Sequence, residues 1–159
     1  MHKLACFAIL LSAATCTWAY SSGAPTAVCD DMTPKHPFDP QTSALPYTVS
    51  ISKKTVKPGE ETDITISGKD FKGFLVEVRK GDKAVGSFLV DSKDKDIQAL
   101  KCHGSSNSAA THSNASVRKS ITLKWKAPQE KGELHVLATV AADGAVFWAK
   151  KDVGKIVVN

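Results

Sequence analysis

The chain lacks any stretch of the roughly 18 consecutive apolar residues that crossing a bilayer requires, so no transmembrane segment is expected. The nearest approach, Leu4 to Ala14, follows a basic tip of His2 and Lys3 and precedes a run of small residues. Thr17 and Ala19 suit the small-residue positions of a signal-peptidase site, so residues 1–19 are predicted to be an export signal cleaved after Ala19. The product is then secreted and extracellular. Cysteine is scarce as well. Cys6 and Cys16 leave with the signal, and Cys29 and Cys102 remain. That excludes a disulfide-dense miniprotein, and the remaining chain of about 140 residues suits one domain with a real core. No G-x-S-x-G elbow and no glycine-rich phosphate cradle is present. No dense Lys/Arg cluster or interleaved aromatic platform argues for nucleic acid. An enzyme is not expected, and no catalytic residue, metal or cofactor is assigned.

What is there begins with KCHGSSNSAATHSNAS, residues 101–116, where a cysteine adjoins one histidine and precedes another. It can be read as part of a metal site, the edge of an active site, or a polar loop anchored by a cystine. A zinc site from Cys102, His103 and His112, with His36 in reserve, needs a free thiolate where thiols are normally oxidised. His36, His103, His112 and His135 could each meet an acid such as Asp30 or Asp31, but any secreted domain offers such pairs. In an oxidising compartment two thiols most simply pair with each other. We therefore expect a cystine-anchored loop, with Cys29 bonded to Cys102 and about 4 kcal/mol of chain-entropy stabilisation.

Residues 20–46 carry Pro25, Pro34, Pro37, Pro40 and Pro46, which rule out a helix or central strand there. They should form an extended segment lying over the domain, tacked down by Cys29. From Tyr47 the pattern turns to period two. YTVSI, TDITIS, GFLVEVRKG, AVGSFLVD, IQALKC, SVRKSITLKWKAP, GELHVLATVAADG, AVFWAKK and KIVVN read as short strands, with a turn at Pro58–Gly59. Eight or nine such strands without a convincing helix predict an all-β fold, an antiparallel β-sandwich over residues 47–159. It is not a standard immunoglobulin domain, because Trp125 and Trp148 both follow the second cysteine.

Charge is uneven. Residues 20–96 carry 11 basic and 12 acidic side chains, and residues 97–159 carry 9 and 4. In SVRKSITLKWKAP the core phase takes Ile121, Leu123 and Trp125, leaving Arg118, Ser120, Thr122, Lys124 and Lys126 on the other face. Arg118, Lys124 and Lys126 are thus the candidate ligand-binding residues, a basic stripe for repeated anionic groups on a bacterial polymer or lipid headgroup. A solvated strand face is the plainer alternative. Asn114-Ala115-Ser116 is a glycosylation sequon in the polar loop, with Asn114 as acceptor.

An ordered set of motifs carries a resemblance over essentially the whole chain beyond Ala19. It runs from GAP-x₃-C-x₂-M-x-P-x-H (Gly23 to His36) and Pro46–Tyr47 to Gly73–Phe74 and the Cys102/His112 pair. W-x-AP at Trp125–Pro128, ATV at Ala138–Val140 and FW at Phe147–Trp148 complete it. The set resembles the reeler (reelin N-terminal) domain, and a single such domain behind a signal resembles the secreted, infection-responsive defence proteins of insect haemolymph. The resemblance implies an immunoglobulin-like, reeler-type sandwich, a Cys29–Cys102 bridge, and a non-enzymatic role in innate immunity. Its implied partners are microbial surface polysaccharide or lipopolysaccharide and the haemocyte surface, with haemocyte aggregation as an outcome. It matches His36 and His112 to family positions, where hydrogen bonds fixing the N-terminal segment are expected. A membrane-active antimicrobial and a redox- or metal-linked extracellular domain are the alternatives.

Overall fold

The computed structural model describes residues 20–159. The export signal expected at 1–19 lies outside them. Eleven strands form two stacked sheets. They are β1 (Tyr47–Ile51), β2 (Thr55–Val56), β3 (Glu61–Phe71), β4 (Gly73–Lys80), β5 (Lys83–Ala84) and β6 (Ser87–Phe88). Then come β7 (Ile97–Cys102), β8 (Ser105–His112), β9 (Arg118–Lys126), β10 (Gly132–Ala141) and β11 (Phe147–Val158). The small sheet runs β1-β3-β9-β6 and the large one β2-β11-β10-β4-β8-β7, with β5 on β4. Every pairing is antiparallel except β2 with β11.

The core follows from alternation. Ile64 and Ile66 of β3 lie opposite Leu123 and Ile121 of β9, and face Phe74, Val76 and Val78 of β4 and Leu134, Val136, Ala138 and Val140 of β10. Trp125, next to the end of β9, is fully buried in this layer, its indole Nε1–H donating to Val85 O at 3.2 Å. In-phase apolar side chains leave water together, which is what holds the two sheets face to face.

Three local expectations are corrected. The polar loop expected after Cys102 is largely strand β8, seated between β4 and β7. From Ser108 onward it is buried, and its residues there up to Thr111 are small because both faces are covered. Ala110 joins the sandwich core, while Ala109 packs on the other side against the cystine cluster. Secondly, AVGSFLVD is not one strand. The chain leaves the large sheet after Ala84 and joins the small one at Ser87. Gly86 makes that step at φ 70°, and a Cβ there would fall 2.4 Å from the Trp125 ring. Thirdly, AVFWAKK and KIVVN belong to the single long strand β11. The segment 20–46 contains no strand, and its one regular element is a turn of 3₁₀ helix at Thr26–Val28.

Candidate functional site

Alternation on β4 turns Leu75, Glu77 and Arg79 away from the sandwich core, where solvent would normally meet them. Instead all three are buried. Residues 20–36 lie across this outer face as a third layer, and Val28, Cys29 and Met32 pack on Leu75, Ala84, Cys102 and Ala109. The Cys29–Cys102 disulfide rivets the layer to the end of β7, with Cα atoms 5.5 Å apart.

A polar network does the rest. The Arg79 guanidinium donates to Glu77 Oε2 at 2.7 Å and to the carbonyls of Cys29 and Asp30. Burial pushes the Glu77 carboxyl above the usual carboxylate range, and the Arg79 bond opposes that only in part. Thr139 donates to Met32 O at 2.6 Å, and Lys150 Nζ to Asp30 O at 3.0 Å. Ala24 N donates to the Thr111 hydroxyl at 3.1 Å. Gln98 Nε2 donates to Ser22 O and to His112 O.

His112 and His103 serve the same layer, whereas the hydrogen bond expected of His36 is not made by its buried Nδ1. His112 Nδ1 accepts the Phe74 amide at 3.1 Å, so its Nε2–H is free to donate to Tyr20 O at 3.0 Å. His103 accepts the Ala84 amide on Nδ1 at 3.0 Å and donates from Nε2 to Asp30 Oδ1 at 3.0 Å. Cys102 is in the disulfide. The trio weighed for zinc is therefore distributed over separate structural bonds. Cys29, Cys102 and Glu77 do cluster, but their sulfurs are joined to each other and offer no thiolate. His135 stands apart on β10, its Nδ1 2.6 Å from Asp152 of β11.

The expected basic stripe is not continuous. Lys124 and Lys126 are exposed on the outer face of the small sheet. Lys124 Nζ lies 3.2 Å from Asp63 and 3.9 Å from Glu61, so acids of β3 stand across from it. Lys126 is in register with Glu61 and makes no ion pair among the described residues. Arg118 leaves this row. Its side chain is 8 % exposed and donates to Lys72 O, Asn114 O and Asn114 Oδ1, with Asp96 at 3.6 Å. It anchors a loop because a guanidinium at the strand's start can reach the neighbouring carbonyls. Asn114 is tied in as well, with Nδ2 donating to Lys95 O at 2.6 Å and to Asp96 Oδ1 at 2.9 Å.

Sequence reasoning did not anticipate a cavity of about 250 Å³ beneath the N-terminal layer. Ala24, Val28, Met32, Phe74, Leu75 and Ala141 line it, and His36, Lys72 and Asp143 stand among its polar residues. The M-x-P-x-H run supplies Met32, Pro34 and His36 to it, a motif visible in the sequence but with no sign there of what it encloses.

Comparison with known proteins agrees with this architecture. The human F-spondin reeler domain superposes with a TM-score of 0.61 over 77 % of this chain and 94 % of that one, at 18 % identity, a likeness of fold. "Putative defense protein Hdd11" of Hyphantria cunea is 39 % identical over 90 % of this chain and 91 % of its own length. The "Putative defense protein" of Bombyx mori is 34 % identical over 82 % of this chain and 80 % of its own. Ferric-chelate reductase 1 of Bos taurus is 36 % identical, yet the matched region is only 23 % of that longer protein. Among the described residues no helix is long and apolar enough to cross a membrane. The model of the Reeler domain matches residues 27–159, and the chain belongs to that family.

Proposed function

We propose that this is a secreted, non-enzymatic defence protein that binds anionic components of microbial surfaces, polysaccharide or lipopolysaccharide, and so promotes haemocyte aggregation. The observation that carries the reading is the match to insect defense proteins over 80–91 % of their length. The reductase matches involve about a quarter of those proteins. Lys124 and Lys126, on the uncovered face of the small sheet, are the residues that would meet a polymer. Lys126 is available at once, and repeated anions would compete with Asp63 and Glu61 for Lys124. Arg118, engaged with the carbonyls of Lys72 and Asn114, is left out of this contact, which narrows it to one end of β9. Support for a non-enzymatic reading comes from the ring nitrogens of His103 and His112, which are occupied in structural hydrogen bonds.

The test incubates the folded protein with whole bacteria and lipopolysaccharide, with uncharged β-glucan as the control, alongside killing and vesicle-leakage assays. Salt-sensitive binding without killing is expected, because exposed charge contacts are screened over about 8 Å at physiological ionic strength. Leakage of vesicles would replace this reading with a membrane-active one. Metal found by elemental analysis of the native protein would point to the redox- or metal-linked one.

A further inference from the structure

We propose that the cavity beneath the N-terminal layer is a binding site for a small monocarboxylic acid with an unbranched hydrocarbon tail. The site lies on the outer face of the large sheet, away from Lys124 and Lys126, and does not depend on the function proposed for that charged row.

Size sets the first limit. A cavity of 150 Å³ lined by aliphatic and aromatic residues takes up benzene, so about 250 Å³ suits roughly ten carbon atoms. The lining sets the second. Ala24, Val28, Met32, Leu75 and Ala141 offer hydrocarbon, and the unbranched Met32 thioether adapts to the shape of a tail. Apolar walls with a few convergent polar groups are the usual form of a small-molecule site.

The polar residues decide the head group. His112 also borders the cavity, but both its ring nitrogens are engaged, by Phe74 and Tyr20. Thr139 is likewise committed to Met32 and Lys150. His36 differs. Its Nδ1 is buried and makes no hydrogen bond within the protein, while its ring packs edge-on against Phe147 at 5.4 Å. Lys72 brings an ammonium that pairs with no carboxylate among the described residues. Asp143 is the one acid of the group, and its Oδ1 already accepts the Ala145 and Val146 amides. Lys72, His36 and Asp143 all border the same cavity. Burial pushes the His36 imidazole below its usual range, so it stands there as a neutral N–H donor beside the Lys72 ammonium. One ammonium and one neutral donor, against a single acid that is already hydrogen-bonded, favour an anionic head over a cationic one. A carboxylate would accept from Lys72 and from His36 Nδ1–H, satisfying a buried polar atom that the fold leaves alone.

Decanoate below its micellar concentration is the probe, followed by calorimetry and by the methyl resonance of Met32. That residue is the only methionine beyond position 19, so its signal reports on the cavity without ambiguity. Saturable one-to-one binding that shifts the Met32 methyl signal is expected. Decyltrimethylammonium, with the same tail and opposite charge, should bind at least about tenfold more weakly. His36→Phe and Lys72→Met should each weaken decanoate about tenfold, the size of one hydrogen bond to a charged group. Ala141→Leu should abolish binding by filling the space. If that variant does not fold, the wild-type methyl shift and the tail-matched cation still decide. An unmoved Met32 signal, equal binding of the two detergents, or indifference to both head-group substitutions would each overturn the site.

Discussion

The two outer faces of the sandwich obey the same alternation and meet opposite fates. On the small sheet the outward positions of β3 and β9 hold Asp63, Thr65, Thr122, Lys124 and Lys126, open to varying degrees to water. On the large sheet the outward positions of β4 hold Leu75, Glu77 and Arg79, sealed under residues 20–36. An acid–base contact of each kind results. Lys124 and Asp63 pair at 3.2 Å with about half of each side chain exposed. Arg79 and Glu77 pair at 2.7 Å with almost none. The difference teaches that a strand's polar residue is not thereby a surface residue. In water such a pair contributes little. Buried, each charge has lost its hydration, so either partner alone becomes a liability.

The sharpest way to break the contrast is to remove one member of the buried pair. Arg79→Ala should strand the Glu77 carboxyl and leave the Cys29 and Asp30 carbonyls without their donor. A loss of about 3–5 kcal/mol is expected, read from the denaturant midpoint. Full retention of stability would mean the third layer is not held by this pair.

Next in size is the covalent link. The double variant C29S/C102S should lose about 4 kcal/mol or somewhat less. Limited proteolysis should then cut within residues 20–46 much faster, while the strands of the small sheet stay protected. Equal protection of both regions would show that the polar network alone secures the layer.

A smaller effect follows from titration. Because folding raises the Glu77 pKa above its ordinary 4.5, the native state holds that proton more tightly than the unfolded chain does. Stability from this group is therefore greatest below 4.5 and declines as pH rises through the native value. Glu77→Gln should flatten that decline relative to wild type. A parallel pair of stability–pH curves would contradict the raised value. Other carboxyls act in the opposite sense. Backbone amides hold Asp143 below its usual range, so its contribution is lost as pH falls.

The smallest change belongs to the uncovered face. Lys124→Gln with Lys126→Gln should alter stability by well under about 1 kcal/mol per site while weakening binding to anionic bacterial polymers. Charge reversal at 124 is the poorer experiment, since it would set a carboxylate opposite Asp63. Unchanged, salt-insensitive binding by the folded double variant would remove this face from the function.

Particular residues show how far alternation carries. Tyr47–Ile51 and Ile97–Cys102 are strands with the bounds that their sequence patterns suggest, and Leu123 and Trp125 are core residues in phase. Ser105–His112 escaped because strand propensity is usually recognised by β-branched and aromatic bulk, and a doubly covered strand has no room for it. Arg118 looked like the first rung of a basic stripe because phase places it on that face. The loop carbonyls of Lys72, remote in sequence, and of Asn114, four residues back, draw it in. The cavity was not legible at all, since its walls come from four separate parts of the chain.

Sequence by itself determined most of the strands, the sandwich they form and the pairing of two cysteines, though not β8, the break at Gly86 or the continuity of β11. Each of these depends on local pattern or on a count that folding does not alter. Only the tertiary structure decided which outer face would be covered, that Glu77 and Arg79 would be buried together, and that His36 would stand with Lys72 over an apolar hollow. Period two says which side chains share a face of a strand. What lies over that face depends on contacts between residues far apart in the chain, such as Cys29 with Cys102 and Met32 with Thr139, and no local pattern encodes them.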